Sequence, residues 1–232
     1  MTTHRLTSEP LSRPRHLPEA LLASVRSWPS EAAKSWTLHA IRHSTRDARI
    51  QAVVASGSAV REVEQSDDLD LLIVHRTGRP ELPDPSIDVD VRFYEEAQLL
   101  RGLERGHDYL LWTVRCGRVL FERDGWWTRL TADWLHRLPL PPAEEARERA
   151  DKARRIYDDL LEIGDHDAAA EVRVSMLTCL ARAALSSAGV FPNSRPELAD
   201  QLRGIDKHDL ADRLSDALTH RYGYPSHGRF LP

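Results

Sequence analysis

The sequence predicts an α+β fold, a small mixed sheet followed by an α-helical bundle, and two observations carry the prediction. Between residues 50 and 122, short apolar runs rich in β-branched residues alternate with Gly, Pro and Asp clusters, which is the pattern of strands and turns. Beyond residue 142 the apolar positions recur at helical spacing only. A chain of 232 residues with 41% hydrophobic content can bury one sizeable core or two small ones, so both parts fit its size. The best boundary is Leu138-Pro139-Leu140-Pro141-Pro142, which gives a tail over 1–18, a sheet domain over 19–138 and a bundle over 142–224. No internal repeat or low-complexity block is present.

Taken in order, residues 29–44 read as a helix with Ser30 as N-cap and Trp36, Ala40 and Ile41 on its inner face. Residues 50–56 form a buried strand that ends at Gly57, and 59–65 leave room for no more than two helical turns. A second strand over 69–74 points Leu69 and Leu71 inward. The loop 76–86, with three prolines and a glycine, is a surface connection to a third strand over 87–91. Helices over 95–104 and 107–116 follow, then a closing strand over 119–121. A helix over 126–137 carries Trp126, Trp127 and Trp134, expected as glue between the two domains. The bundle helices are expected over 143–163, 168–188, 195–202 and 206–220.

The segment with chemistry in it is Gly57-Ser58 followed by Asp68-Leu69-Asp70. A glycine lets the backbone approach a ligand closely, and the amides of Ser58 and its neighbours, unpaired at the start of a helical turn, suit a triphosphate. Asp68 and Asp70 share one face of their strand, where they repel each other and raise a pKa unless a cation sits between them. Mg²⁺ is the expected cation, since hard oxygen ligands and substrate phosphates are its usual company. Ile87-Asp88-Val89-Asp90-Val91 supplies a third carboxylate, either Asp88 or Asp90. Two metal ions held by three such groups activate an attacking hydroxyl and stabilise departing pyrophosphate.

On these residues the chain resembles the nucleotidyltransferase superfamily of DNA polymerase β type, whose signature is Gly-Ser, a spacer of about ten residues, Asp-x-Asp and a third carboxylate on a neighbouring strand. Gly57, Ser58, Asp68 and Asp70 match it, over a resemblance that covers residues 35–122. Within the superfamily it is similar to the minimal and aminoglycoside-modifying kinds, and its sheet domain followed by a helical bundle is similar to aminoglycoside nucleotidyltransferases and to single-chain relatives of the paired minimal-nucleotidyltransferase and HEPN systems. The resemblance implies Gly57 and Ser58 on the β- and γ-phosphates, Asp68 and Asp70 on Mg²⁺, and Asp90 or Asp88 completing the metal site, with the spacing to the following helix favouring Asp90. Many relatives have arginine and glycine just after Gly-Ser, where this chain has Ala59-Val60-Arg61-Glu62, so Arg61 is the candidate phosphate ligand in their place. The activity so implied is transfer of a nucleoside monophosphate, AMP from ATP or another NTP, to a hydroxyl of a small acceptor such as an aminoglycoside-like compound. The rivals are an antitoxin-like enzyme acting on a protein or RNA partner, and a non-catalytic nucleotide-binding relative.

Composition narrows the partners. A formal charge of −4 argues against general nucleic-acid binding and is compatible with a cationic acceptor. No apolar run of about eighteen residues offers a membrane span, and residues 1–18 hold no signal-like apolar stretch. Two cysteines, Cys116 and Cys179, make neither a disulfide framework nor a zinc site, so a cytoplasmic setting is expected, with both as buried thiols. His107-Asp108-Tyr109 reads as a helix start with Asp108 as cap. Arg203 and His208 have the spacing of HEPN ribonucleases, but about four such pairs are expected by chance at this composition, so no ribonuclease is assigned.

Overall fold

The computed structural model describes residues 23–61, 66 and 68–222. The tail expected over 1–18 lies outside the described residues, as do residues 62–65 of the short helix expected after Gly57. The elements in the first half are α1 (Glu31–Arg46), β1 (Ile50–Ser56), β2 (Leu69–His75), β3 (Val89–Glu95), α2 (Glu96–Glu104), α3 (Asp108–Cys116) and β4 (Arg118–Glu122). The rest are helices: α4 (Trp126–Trp134), α5 (Ala143–Glu162), α6 (His166–Ser187), α7 (Leu198–Arg203) and α8 (His208–Tyr222). The fold is α+β, and contacts divide it into two compact units, Met1–Phe93 with Arg118–Trp127 and Tyr94–Gly117 with Thr128–Pro232. Tyr94–Gly117, placed with the sheet by sequence, thus clusters with the helical unit.

The sheet unit is built around β1. The strand order is β3-β2-β1-β4, and β1 runs antiparallel to both β2 and β4. A central strand covered on both faces favours apolar side chains, and all seven β1 residues are buried, five of them apolar with Gln51 and Ser56 polar. Val53, Ala55, Leu69, Leu71, Ile73 and Leu120 join Ala33 and Ile41 of α1 in one core. Ser30 caps α1 by accepting the Ala33 N–H at 3.0 Å. Trp36 sits at the margin of the buried row rather than in it, and its Nε1 donates to the Pro83 carbonyl at 3.2 Å in the proline-rich loop.

The third strand begins at Val89, two residues later than its alternation suggests, and continues to Glu95. Ile87 is fully exposed. The Val89 N–H is turned back onto the Ser86 carbonyl at 2.9 Å, so residues 86–89 form a turn although Ile87-Asp88-Val89 alternates like a strand.

Arg123 closes the far end of this unit. Its Nε donates to the Ile50 carbonyl at 3.1 Å, and its Nη2 donates to the Ser44 and Asp47 carbonyls at 2.9 and 3.0 Å. One guanidinium therefore ties the C-terminal end of α1 to the start of β1. Arg123→Met, which keeps most of the stem and removes the donors, is expected to cost about 2–3 kcal/mol in chemical denaturation. A loss below about 0.5 kcal/mol would show that water replaces the donors there.

In the helical unit, α2 opens with a capping box in which Glu95 and Gln98 satisfy each other's backbone N–H groups. The long helices α5 and α6 pair as a hairpin. Along α6, Val174, Leu177, Ala181 and Leu185 recur at helical spacing and meet Leu198 and Leu202 of α7 and Ala211, Leu214 and Leu218 of α8. No helix among the described residues is long and apolar enough to cross a membrane.

Candidate functional site

Antiparallel pairing sets the site at one end of β1. The register pairs Ser56 with Asp70, so the glycine that follows Ser56 turns directly beside the second aspartate of the Asp-x-Asp pair. Gly57 has φ 80° and ψ −159°, a conformation reserved for glycine. A Cβ built there would stand 2.4 Å from Asp70 Oδ2, so the absent side chain is also the space that the carboxylate occupies.

After Gly57 comes a single 3-10 turn, Ser58–Val60, closed by the Arg61 N–H on the Ser58 carbonyl at 3.0 Å. The amides of Ser58 and Ala59 open this turn and have no partner within it, as at any helical start. Ser58 Oγ lies 2.6 Å from Ser66 Oγ, and Ser66 Oγ donates to the Asp68 carbonyl at 2.7 Å. A hydroxyl has one proton, so Ser58 is the donor of its pair with Ser66. The Ser58 hydroxyl thus fastens the glycine turn to the backbone of Asp68, and a phosphate would meet the turn through its amides. Arg61 ends the turn half-buried.

The carboxylates are unequal. Asp68 is exposed and Asp70 half-buried. Burial first, and then the negative charge of Asp68, push the Asp70 carboxyl up to about 6; Asp90 adds to the rise and Arg92 opposes it. Asp90 receives Arg92 Nε and Nη2 at 3.0 and 2.8 Å on one oxygen. Asp68, Asp70 and Asp90 therefore share one electrostatic neighbourhood.

Asp88 is engaged elsewhere. Its Oδ1 accepts the Ser86 hydroxyl at 2.5 Å, its carboxylate also takes the Ser30 hydroxyl, and its carbonyl accepts the Leu69 N–H at 2.9 Å. The two hydroxyls hold its carboxyl below the usual range. Asp88 thereby joins the cap of α1, the turn before β3 and the start of β2.

Arg92 is a site residue that the sequence reading missed. Its signal was present, because residues 90 and 92 fall on one face of a strand. His107, not Asp108, is the N-cap of α3, and Asp108 lies in the first turn, where it accepts from Arg182 with Arg149 Nη1 at 4.0 Å. Arg203 donates to Asp200 and Asp212, and Cys179 is a half-buried thiol that desolvation pushes up.

No family model and no curated protein matches the chain. A solved structure does. It is a nucleotidyltransferase-like protein from Exiguobacterium sibiricum, 18% identical, matched over 83% of this chain and 73% of that one with a TM-score of 0.36.

Among the described residues no three His, Cys, Asp or Glu side chains are gathered closely enough to enclose a metal ion by themselves. Mg²⁺ does not demand this, since it keeps waters and is bound by one or two carboxylates with substrate phosphates. The fit is favourable on two counts. Asp68 and Asp90 set negative charge around Asp70 that Arg92 opposes in part, and Ser56 Oγ, on the residue paired with Asp70, is buried without a hydrogen-bond partner.

Proposed function

We propose that the sheet unit is a nucleotidyltransferase site that moves a nucleoside monophosphate, AMP from ATP, onto a hydroxyl of a small acceptor. The observation that carries the reading is the seating of the Gly57 backbone against Asp70, whose charge feels those of Asp68 and Asp90. A phosphate chain needs backbone amides at close approach and negative charge able to recruit a cation, and the two features adjoin here.

In this reading the amides of the Ser58 turn hold the β- and γ-phosphates, with Arg61 at the end of the turn adding charge. Asp68, Asp70 and Asp90 would hold Mg²⁺, which when bound supplies positive charge against the developing charge of the phosphates. Asp90 takes the proton of the acceptor hydroxyl as its oxygen bonds to the α-phosphorus. The bond from that phosphorus to the bridging oxygen breaks, and the electron pair leaves with pyrophosphate. Arg92, which donates to Asp90, would have to give up that pair for Asp90 to take the proton. The net charge of −4 is compatible with a cationic acceptor, of which an aminoglycoside-like compound is one chemical class.

The test is Mg-dependent binding of ATP by calorimetry, followed by pyrophosphate release with pooled hydroxyl acceptors. Binding without Mg²⁺, or none with it, would remove the reading. Asn substitutions separate the two candidates for the third carboxylate. Asp90→Asn is expected to lower transfer by at least about 100-fold. Asp88→Asn should keep turnover within several-fold while lowering the melting temperature, because Asp88 is bound to Ser30 and Ser86. The reverse order would transfer the role to Asp88.

A further inference from the structure

Among the described residues five large apolar side chains stand exposed, and three of them, Ile156, Leu161 and Ile163, lie within eight residues at the end of α5. Scattered exposed apolar side chains are ordinary, whereas a row at helical spacing marks a contact surface. Ile156 and Ile163 are two turns apart on one face, exposed by 41 and 76%. Along this face run Arg149, Lys152, Ile156, Asp159 and Ile163, at steps of three and four, which is the spacing of a coiled-coil seam. A neighbouring stripe of α5, about a third of a turn round, is occupied, since Ala146 and Ala150 are buried and Ala153 packs on the bundle core. The helix therefore has two seams; on the outer one Ile156 and Ile163 are exposed among the described residues, while Arg149 at its start reaches the Asp108 carboxylate at 4.0 Å.

The charges on the outer seam choose its occupant. Cations precede Ile156 and an acid follows it, so two copies laid parallel would set Lys152 on Lys152 and Asp159 on Asp159. Laid antiparallel about a two-fold axis beside Ile156, they set Lys152 opposite Asp159 twice. Ile156 then meets its own symmetry mate, and Ile163 rests on the methylenes of Arg149. We infer that α5 pairs antiparallel with α5 of a second copy of this chain, making the protein a two-fold dimer through the outer seam. This surface is independent of the carboxylate site.

The experiment is sedimentation equilibrium of the full chain at rising concentration. A contact of about three helical turns per copy is small, so dissociation in the micromolar range is expected. Ile156→Asp should weaken the dimer at least about tenfold with an unchanged circular dichroism spectrum. Lys152→Glu should weaken it as well, and Lys152→Glu with Asp159→Lys should restore it, because the exchanged charges again oppose each other. Restoration also guards against a variant that merely misfolds. A monomer up to about 100 µM overturns the inference, whatever else covers the seam, and so does a dimer indifferent to these variants.

Discussion

Replacing Asp70 by asparagine is expected to leave the fold intact, to lower nucleotidyl transfer by at least about 100-fold, and to make the metal-free protein more stable at neutral pH. The last effect follows from the raised carboxyl. Folded Asp70 ionises near 6 against 3.8 for the free side chain, because burial and Asp68 oppose its charge. Below 3.8 both states are protonated and the residue has no ionisation penalty. As the pH climbs through 6 the unfolded chain has already lost its proton, and keeping the charge in the folded site costs up to about 3 kcal/mol. The stability gain of Asp70→Asn should therefore appear above pH 6, shrink between 6 and 4, and vanish below. Denaturation of both proteins in chelator across that range reads it directly. Saturating Mg-ATP should reverse the order, since only the wild type has the second carboxylate. A stability difference that ignores pH would mean that Asp70 does not feel the charge of its neighbours.

The second large effect is expected at Gly57. Alanine there must adopt φ near 80°, at a cost of about 1–3 kcal/mol, and its Cβ would come within 2.4 Å of Asp70 Oδ2. The relief available is displacement of the Asp70 carboxylate, so Gly57→Ala should injure the reaction more than its stability loss explains. Misplacing a ligand by about 1 Å can cost about 100-fold in rate, while the fold survives with a lower melting temperature. The measurements are thermal unfolding and pyrophosphate release on the same sample. Activity within twofold of wild type would show that Asp70 needs no exact seat.

These two residues show why part of the site was legible in the sequence. The run Ile50–Ser56 is mostly apolar, glycine ends it, and strand alternation puts Asp68 and Asp70 together, all of which are local signals. The α+β division was legible for the same reason. The third strand was less so, because Ile87-Asp88-Val89-Asp90-Val91 alternates throughout, and period two cannot distinguish a strand from a turn that leads into one. What decides the matter is the Ser86 carbonyl and the hydroxyls of Ser30 and Ser86, one of them on a helix far away in sequence. Asp108 was equally unreadable, since its partner Arg182 lies 74 residues on. The Ser58 hydroxyl is tied to Ser66, a contact that spacing alone does not reveal.

The bonds at Asp88 also decide where this chain can lengthen. Residues 77–85 run over the surface between two anchored points, and an extra residue among them would be taken up by the loop. Between Asp88 and Asp90 the same insertion has no slack to enter. Asp88 is pinned to Ser30, Ser86 and Leu69, so everything after it would slip by one position. Val91 and Phe93 would exchange faces with Asp90 and Arg92, sending two charges toward the core and two apolar side chains toward the carboxylates. Lineages of this protein should therefore differ in length before Ser86 and hold their length from Ser86 through Arg92.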